Sequence, residues 1–282
     1  ITTNPDAVGD RFVNTTSGEL FVATDVTTDE NVWKGQLGTD VKPATYYGGR
    51  GVFMAGESNV IDYITIANTG DATDFGDLAN LRNQAGAEGV SNGSRGVNAG
   101  GAFSPSGTNA DVIEYITFSS VGNATDFGDL TIARYLGPAG VSSGTRGCFG
   151  GAYTTGATNI IDYITIASAG DATDFGDLTA ARNNPSGCSN GTRGIWSAGS
   201  GGSNVIDYIT IASAGNATDF GDVVSGREAC ASSSNGTRGV IAGGYSSPAR
   251  TDVIEYVTIA SAGNTSDFGD LTVASSHTGA CS

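Results

Sequence analysis

The acidic residues of this sequence are spaced in a way that could do chemistry. In "DATDFGD", Asp71, Asp74 and Asp77 put three carboxylates within seven residues. Hard oxygen ligands at such density suit Ca²⁺. The spacing is not that of an EF-hand, however, and the first acid is replaced by Asn123, Asn216 and Asn264 in related stretches. A structural turn is the stronger reading, so no cofactor is expected and Ca²⁺ stays as the lesser alternative.

Other reactive groups are sparse. His277 is the only histidine, and in "SSHTG" it reads as a polar strand residue. There is no Ser-His-Asp order and no nucleophile elbow. Asp-Phe-Gly lacks the Gly-rich loop and catalytic loop that accompany it in protein kinases. Nearly all acids are equivalent by repeat, so the unlike carboxylate pair of a glycosidase does not stand out. Cys148, Cys188, Cys230 and Cys281 form no C-x-x-C pair. They read as small buried residues at related repeat positions, without disulfides. An enzyme is not expected.

What positions these residues is a repeat. The Tyr of "VIDYITIA" falls at Tyr63, Tyr115, Tyr163, Tyr208 and Tyr256, in steps of 52, 48, 45 and 48. The Phe of Asp-Phe-Gly-Asp follows each by 12, at Phe75, Phe127, Phe175, Phe220 and Phe268. Arg50, Arg95, Arg146, Arg193 and Arg238 precede each Tyr at variable distance, and Arg82, Arg134, Arg182 and Arg227 also recur. A motif written five times is architecture: Phe to fill space between sheets, Gly for a bulge, the first Asp for an Asx turn. Repeated Arg and Asp suggest carboxylate–guanidinium pairs that stitch turns or blades together.

Each unit reads as four antiparallel strands. "GPAGVSS" or "EACASSS" is the first. Asn190-Gly191 and Asn235-Gly236 give the hairpin signal that leads into "RGVIAGG". "NVIDYITIAS" is the third strand and "AGNATDFGDL" turns into the fourth. The sequons at Asn92, Asn190 and Asn235 coincide with these hairpins, which explains them without glycans. Four strands in about 48 residues, five times over, predict an all-β fold with a five-bladed β-propeller over residues 46–282. "SSHTGACS" would supply a strand that completes the first blade and closes the ring, with "VKPATYY" as the rival source.

An apolar strand ending in Gly100-Gly101, Gly150-Gly151 or Gly243-Gly244, then a Tyr strand, then an aromatic, resembles a kelch-type repeat. It departs from that pattern in having Phe for Trp, and Ala55-Gly56 and Ala198-Gly199 for the Gly pair. The non-repetitive residues 1–45 alternate apolar and polar, with "NTTSGE" as a turn and Phe12, Leu20, Phe21, Val22, Val32 and Trp33 as an apolar surface. Gly9, Asp10, Asn14, Thr15, Leu20, Phe21, Val22 and Trp33 fill a pattern similar to short β-modules of bacteriophage tail-fibre and virion appendage proteins. The resemblance implies a virion or extracellular structural protein, attached through residues 1–45 to other virion proteins, whose propeller binds a host-surface glycan or a neighbour. A secreted or cell-surface lectin and a purely architectural decoration protein are the alternatives.

Charge and composition narrow the partners. The net charge is −16 with only Lys34 and Lys42 as lysines, which argues against nucleic acid and an anionic membrane surface. No apolar run approaches 18 residues, so membrane insertion is not expected. The chain opens on Ile and shows no signal peptide, consistent with a processed or trimmed product. A homo-oligomer is left open. Recognition falls to the loops of variable length, between strands two and three and after strand four. There Phe103, Tyr135, Tyr153, Tyr245 and Arg250 are the candidates to stack on a sugar or grip a protein; packing of loop on loop is the competing role for each.

Overall fold

Alternation of β-branched and small residues, punctuated by glycine, builds strands throughout, and the described residues contain no helix. In the computed structural model the described residues are 49–54, 58–83, 89–136 and 138–277, and in the N-terminal part 8–9, 11–13, 20–25, 32–35 and 40–41. The chain divides into two compact units, residues 1–51 with 64–71, and residues 52–63 with 72–282.

In the N-terminal part, Arg11–Val13, Leu20–Asp25, Val32–Gly35 and Asp40–Val41 form one antiparallel sheet in chain order. Phe21 and Ala23 are buried and Val22 is half-buried. The side chains of Phe12, Leu20, Val32 and Trp33 lie outside the described residues.

The repeat region is a five-bladed β-propeller, as its period predicts. Blade two has strands Val90–Ser91, Arg95–Ala99, Val112–Thr117 and Thr125–Asp129; blade three has Ala139–Ser142, Arg146–Gly150, Ile160–Thr165 and Thr173–Asp177. Blade four has Ser186–Ser189, Arg193–Ser197, Val205–Thr210 and Thr218–Asp222; blade five has Ala231–Ser234, Arg238–Ala242, Val253–Thr258 and Ser266–Asp270. Blade one shows Arg50–Phe53, Val60–Thr65 and Thr73–Asp77. Of the two segments expected to supply its remaining strand, 275–282 and 41–47, residues 278–282 and 42–47 lie outside the described residues. The hairpins form where Asn-Gly marks them: Asn190 Oδ1 accepts from the amides of Thr192 and Arg193 at 3.0 and 2.7 Å.

The blade-to-blade core answers why Asp-Phe-Gly-Asp recurs. Phe127 stands edge-on to Tyr115 at 5.9 Å between ring centroids, and Phe175 to Tyr163 at 5.8 Å. Such pairs add about 0.5–1.5 kcal/mol beyond the area they bury. On the far side, Phe175 meets Ile209 and Ile211 of blade four, and Phe220 meets Val257 and Ile259 of blade five. The following Gly bulges the strand, with φ near +140° at Gly128 and Gly176. A Cβ on Gly176 would lie 2.6 Å from the Gly215 carbonyl of the next blade. Only glycine allows blades to approach this closely.

Two of the three positions have separate structural tasks for their side chains. Asp74 and Asp174 close Asx turns, accepting from the amides of Gly76 and Gly176 at 3.0 and 3.2 Å. The residue that alternates between Asn and Asp reaches the preceding blade: Asn123 Oδ1 accepts from Asp77 N and Asp171 Oδ1 from Asp129 N, each at 3.1 Å. Either side chain offers that acceptor oxygen, which explains the interchange. Among the described residues, no three His, Cys, Asp or Glu side chains are placed to hold a metal ion together.

The second array of arginines does stitch, with other partners than the Asp-Phe-Gly-Asp acids. Arg82 pairs with Glu114, Arg134 with Asp162 at 2.9 Å, Arg182 with Asp207 at 2.7 Å and Arg227 with Glu255 at 2.7 Å, all buried. The acids sit in each blade's third strand, and the arginines in the connection entering that blade. Burial presses the Arg134 and Arg182 guanidinium pKa values below the usual range, opposed by their carboxylate partners. Each acid also holds the end of the preceding blade. Thr131 and Thr179 donate their hydroxyls to Asp162 and Asp207 at 2.5 Å, whereas Ala79 and Val224 offer only their amides, to Glu114 and Glu255. The short acid goes with threonine and the long acid with an apolar residue.

Three sequence expectations need correction. Cys148 lies in a second strand, Cys188 in a first strand and Cys230 ahead of one; all three are buried but not repeat-equivalent. The paired turn residues are Gly100-Gly101, Gly151-Ala152, Ala198-Gly199 and Gly243-Gly244, all at positive φ. The second pair is therefore shifted by one from Gly150-Gly151, because the amide of Ala152, not Gly151, must meet the Arg182 carbonyl at 3.0 Å. His277 is a turn residue, not a strand residue, with φ +55°.

Candidate ligand-binding face

The loops after strand two and those after strand four come together on one face, as the propeller topology requires. Tyr135 and Tyr153 exchange backbone hydrogen bonds at 2.9 and 2.8 Å, and Glu228 and Tyr245 at 3.0 and 2.8 Å. A further chain of amides links successive connections: Asn184 N to Leu136 O, Ala229 N to Asn184 O and His277 N to Ala229 O, at 3.2, 3.2 and 2.9 Å. Leu136, Asn184, Ala229 and His277 occupy equivalent places, each with φ between 49 and 55°. A non-glycine residue held left-handed stores strain that its surroundings must impose. Here the imposing contact is the hydrogen bond to the neighbouring connection.

The candidate residues separate into three groups. Tyr135 and Tyr153 stand edge-to-face at 5.3 Å, so each ring covers the other. Phe103 is half-buried in the short strand Ala102–Phe103, where it pairs with Arg82. Tyr245 and Arg250 face one another across the hairpin Tyr245–Ser246 and Ala249–Arg250. They open onto a cavity of about 650 Å³ also lined by Glu228, Ser276 and His277. A second cavity of about 240 Å³, lined by Ser225, Ser246 and Thr251, shares Arg250.

Arg250 differs from the other arginines of the blades. Arg82, Arg134, Arg182 and Arg227 are buried in ion pairs. Arg95, Arg146, Arg193 and Arg238 lie 4.3–4.4 Å over the rings of Tyr115, Tyr163, Tyr208 and Tyr256. Three of these four also donate to carbonyls of the next blade, Arg146 to Ile211 O at 2.9 Å for example. Arg250 belongs to neither array. It is exposed, and its Nε donates to Ser276 Oγ at 3.1 Å, both residues lining the larger cavity. Planar donors beside an aromatic ring suit a carboxylate, a sulfate or a sugar hydroxyl pair.

Sequence reasoning missed Glu228, Ser276 and His277 as neighbours of Arg250. Alignment of the connection loops would have put His277 at the place of Ala229, but nothing in that alignment says that the fifth hairpin leans over it. The fold and this face define the class, a five-bladed β-propeller with one open, arginine-bearing loop cluster. No protein-family model matches the chain, and no curated protein matches it.

Proposed function

We propose that this chain is a non-enzymatic binding module of a virion appendage, a kelch-like propeller of bacteriophage tail-fibre type that recognises a host-surface glycan. The observation that carries the binding reading is Arg250: it alone among the blade arginines outside the first blade stands apart from both structural arrays, and it shares a cavity with Tyr245. A guanidinium beside a phenol ring fits a sugar with a carboxylate or sulfate. Unequal loops favour one composite site over five equivalent lectin sites, and the fifth hairpin combines an arginine with a cavity. The virion setting rests on the tail-fibre-like pattern of residues 1–45, which would dock on other virion proteins.

A glycan array probed with the whole chain tests the reading. Acidic glycans should bind saturably, and Arg250→Ala and Tyr245→Ala should each weaken binding by roughly tenfold or more. Arg250→Lys should recover only part, because a point charge replaces a two-pronged donor. Absence of glycan binding, or binding indifferent to both substitutions, would overturn it.

A further inference from the structure

In three of the four buried ion pairs the arginine Nη2 donates squarely to its acid: Arg82 to Glu114, Arg134 to Asp162 at 2.9 Å and Arg182 to Asp207 at 2.7 Å. Arg82 and Arg134 also set Nη1 on the carbonyl that opens the same strand, Val112 or Ile160, at 3.1 and 3.0 Å. Arg227 departs from this pattern. Its Nη2 lies 2.7 Å from Glu255 Oε2 but out of line for a hydrogen bond, and its Nη1 reaches only the nearby Ser225 carbonyl, at 3.4 Å. Glu255 is engaged elsewhere, where its Oε1 accepts from the Val224 amide and the Thr265 hydroxyl at 2.9 and 3.1 Å. Among the described residues, Nε and Nη2 of Arg227 have no hydrogen-bonded acceptor, although the side chain is only 1% exposed. A buried charged donor left in that state is costly.

The smaller cavity, of about 240 Å³, adjoins this guanidinium. Arg227 and Arg250 both line it, together with the hydroxyl residues Ser225, Ser246 and Thr251. It is several times the ~30 Å³ that one water occupies in the liquid. In a chain with 29 acidic residues against 13 Lys and Arg, no Asp or Glu is among its lining residues. The larger cavity shares Arg250, but there Glu228 offsets the charge. The smaller cavity is therefore the more positive of the two. Arg250 comes to it from the exposed side, with Nε held by Ser276, and Arg227 from the buried side. Thr251 Oγ1 accepts from the Val253 amide at 3.3 Å, which leaves its hydroxyl proton to donate.

We infer that this smaller cavity is an oxyanion pocket, and that it takes a sulfate or phosphate ester. The source of that ester rests on the reading above: it is carried by the acidic glycan. A carboxylate has two oxygens in one plane and matches a single guanidinium fork. A sulfate or phosphate ester presents three terminal oxygens about a tetrahedral centre, enough to engage two guanidiniums and a hydroxyl together. The ester would supply the acceptors that Arg227 lacks, so Arg227 sets specificity as well as holding Glu255.

Titration calorimetry on the whole chain tests it, with inorganic sulfate, inorganic phosphate and acetate at matched ionic strength. A sulfated, a phosphorylated and a uronic-acid oligosaccharide then follow, and the ester that is the source should bind more tightly than its free inorganic ion. Sulfate or phosphate should bind saturably, and acetate at least tenfold more weakly. Arg227→Lys keeps a charge opposite Glu255 but loses the fork, and should weaken oxyanion binding by roughly tenfold. Ser246→Ala and Thr251→Val keep the test open if that variant does not fold. Both residues line this cavity and not the larger one, and each change should weaken oxyanion binding by roughly threefold or more. Oxyanion binding no tighter than acetate, or binding indifferent to all three substitutions, would overturn the inference. Preference for the uronic-acid oligosaccharide over both esters would also overturn it, while leaving the acidic-glycan reading in place. Sulfate or phosphate held saturably by a chain that binds no glycan would keep the pocket and overturn that reading instead.

Discussion

Arg134 Nη2 lies 2.9 Å from Asp162 Oδ2 with neither side chain accessible to water, and the same guanidinium donates to the carbonyls of Phe149 and Ile160. A charge so placed cannot lose its partner without leaving the other uncompensated. Asp162→Ala should therefore cost about 3–5 kcal/mol of unfolding free energy, read by denaturant titration. A loss below about 1 kcal/mol would mean that water enters the pair.

The alternation of acids predicts a coupling. Asp162→Glu alone should destabilise by about 1–3 kcal/mol, since the extra methylene meets the Thr131 hydroxyl. Adding Thr131→Ala, the combination of Ala79 with Glu114, should recover part of that loss. Additive effects in a double-mutant cycle would refute the steric account.

Glycine substitutions should split by position. Gly176→Ala places a methyl 2.6 Å from the next blade's backbone at φ +139° and should cost more than about 1 kcal/mol. Gly156, with open space around its Cβ position, should accept alanine within about 0.5 kcal/mol. Ala152, held at φ +112°, runs the opposite way: Ala152→Gly should stabilise by about 1 kcal/mol through strain relief. Thermal melting of the three variants orders them.

Burial pushes the Cys148 thiol up to about 12, against the smaller opposing pull of Arg146. Cys148 should resist alkylation at pH 8 in the folded protein and react once it unfolds, as peptide mapping would show. The sign for stability follows from linkage. An unfolded thiol ionises from about pH 8.5, and the folded one does so only near pH 12. Stability is therefore full below pH 8.5 and declines as pH rises between these values. A Cys148→Ala variant should show a shallower alkaline decline.

Asp129 has its carboxyl pKa raised, chiefly by desolvation and then by Asp111, Asp171 and Asp126. The folded state thus binds this proton more tightly than the unfolded chain does, and the penalty is present above the folded pKa and vanishes as pH falls. Asp129→Asn should raise the melting temperature at pH 7 and have no effect at strongly acid pH. Equal effects at both would remove the charge explanation.

The repeat alone determined the architecture: strand order, hairpin positions, the Tyr–Phe ring pairs and the five blades follow from local pattern and spacing, because each unit folds on contacts whose sequence separation is fixed. The partner of each arginine was not legible. Arg134 and Asp162 are 28 residues apart across a loop of variable length, and no local rule chooses the third-strand acid over the Asp-Phe-Gly-Asp carboxylates nearby. Tertiary structure also decided that Tyr135 and Tyr153 cover each other while Tyr245 and Arg250 open onto a cavity, although all four look alike in sequence as loop residues. Only side-chain packing between non-adjacent loops separates them.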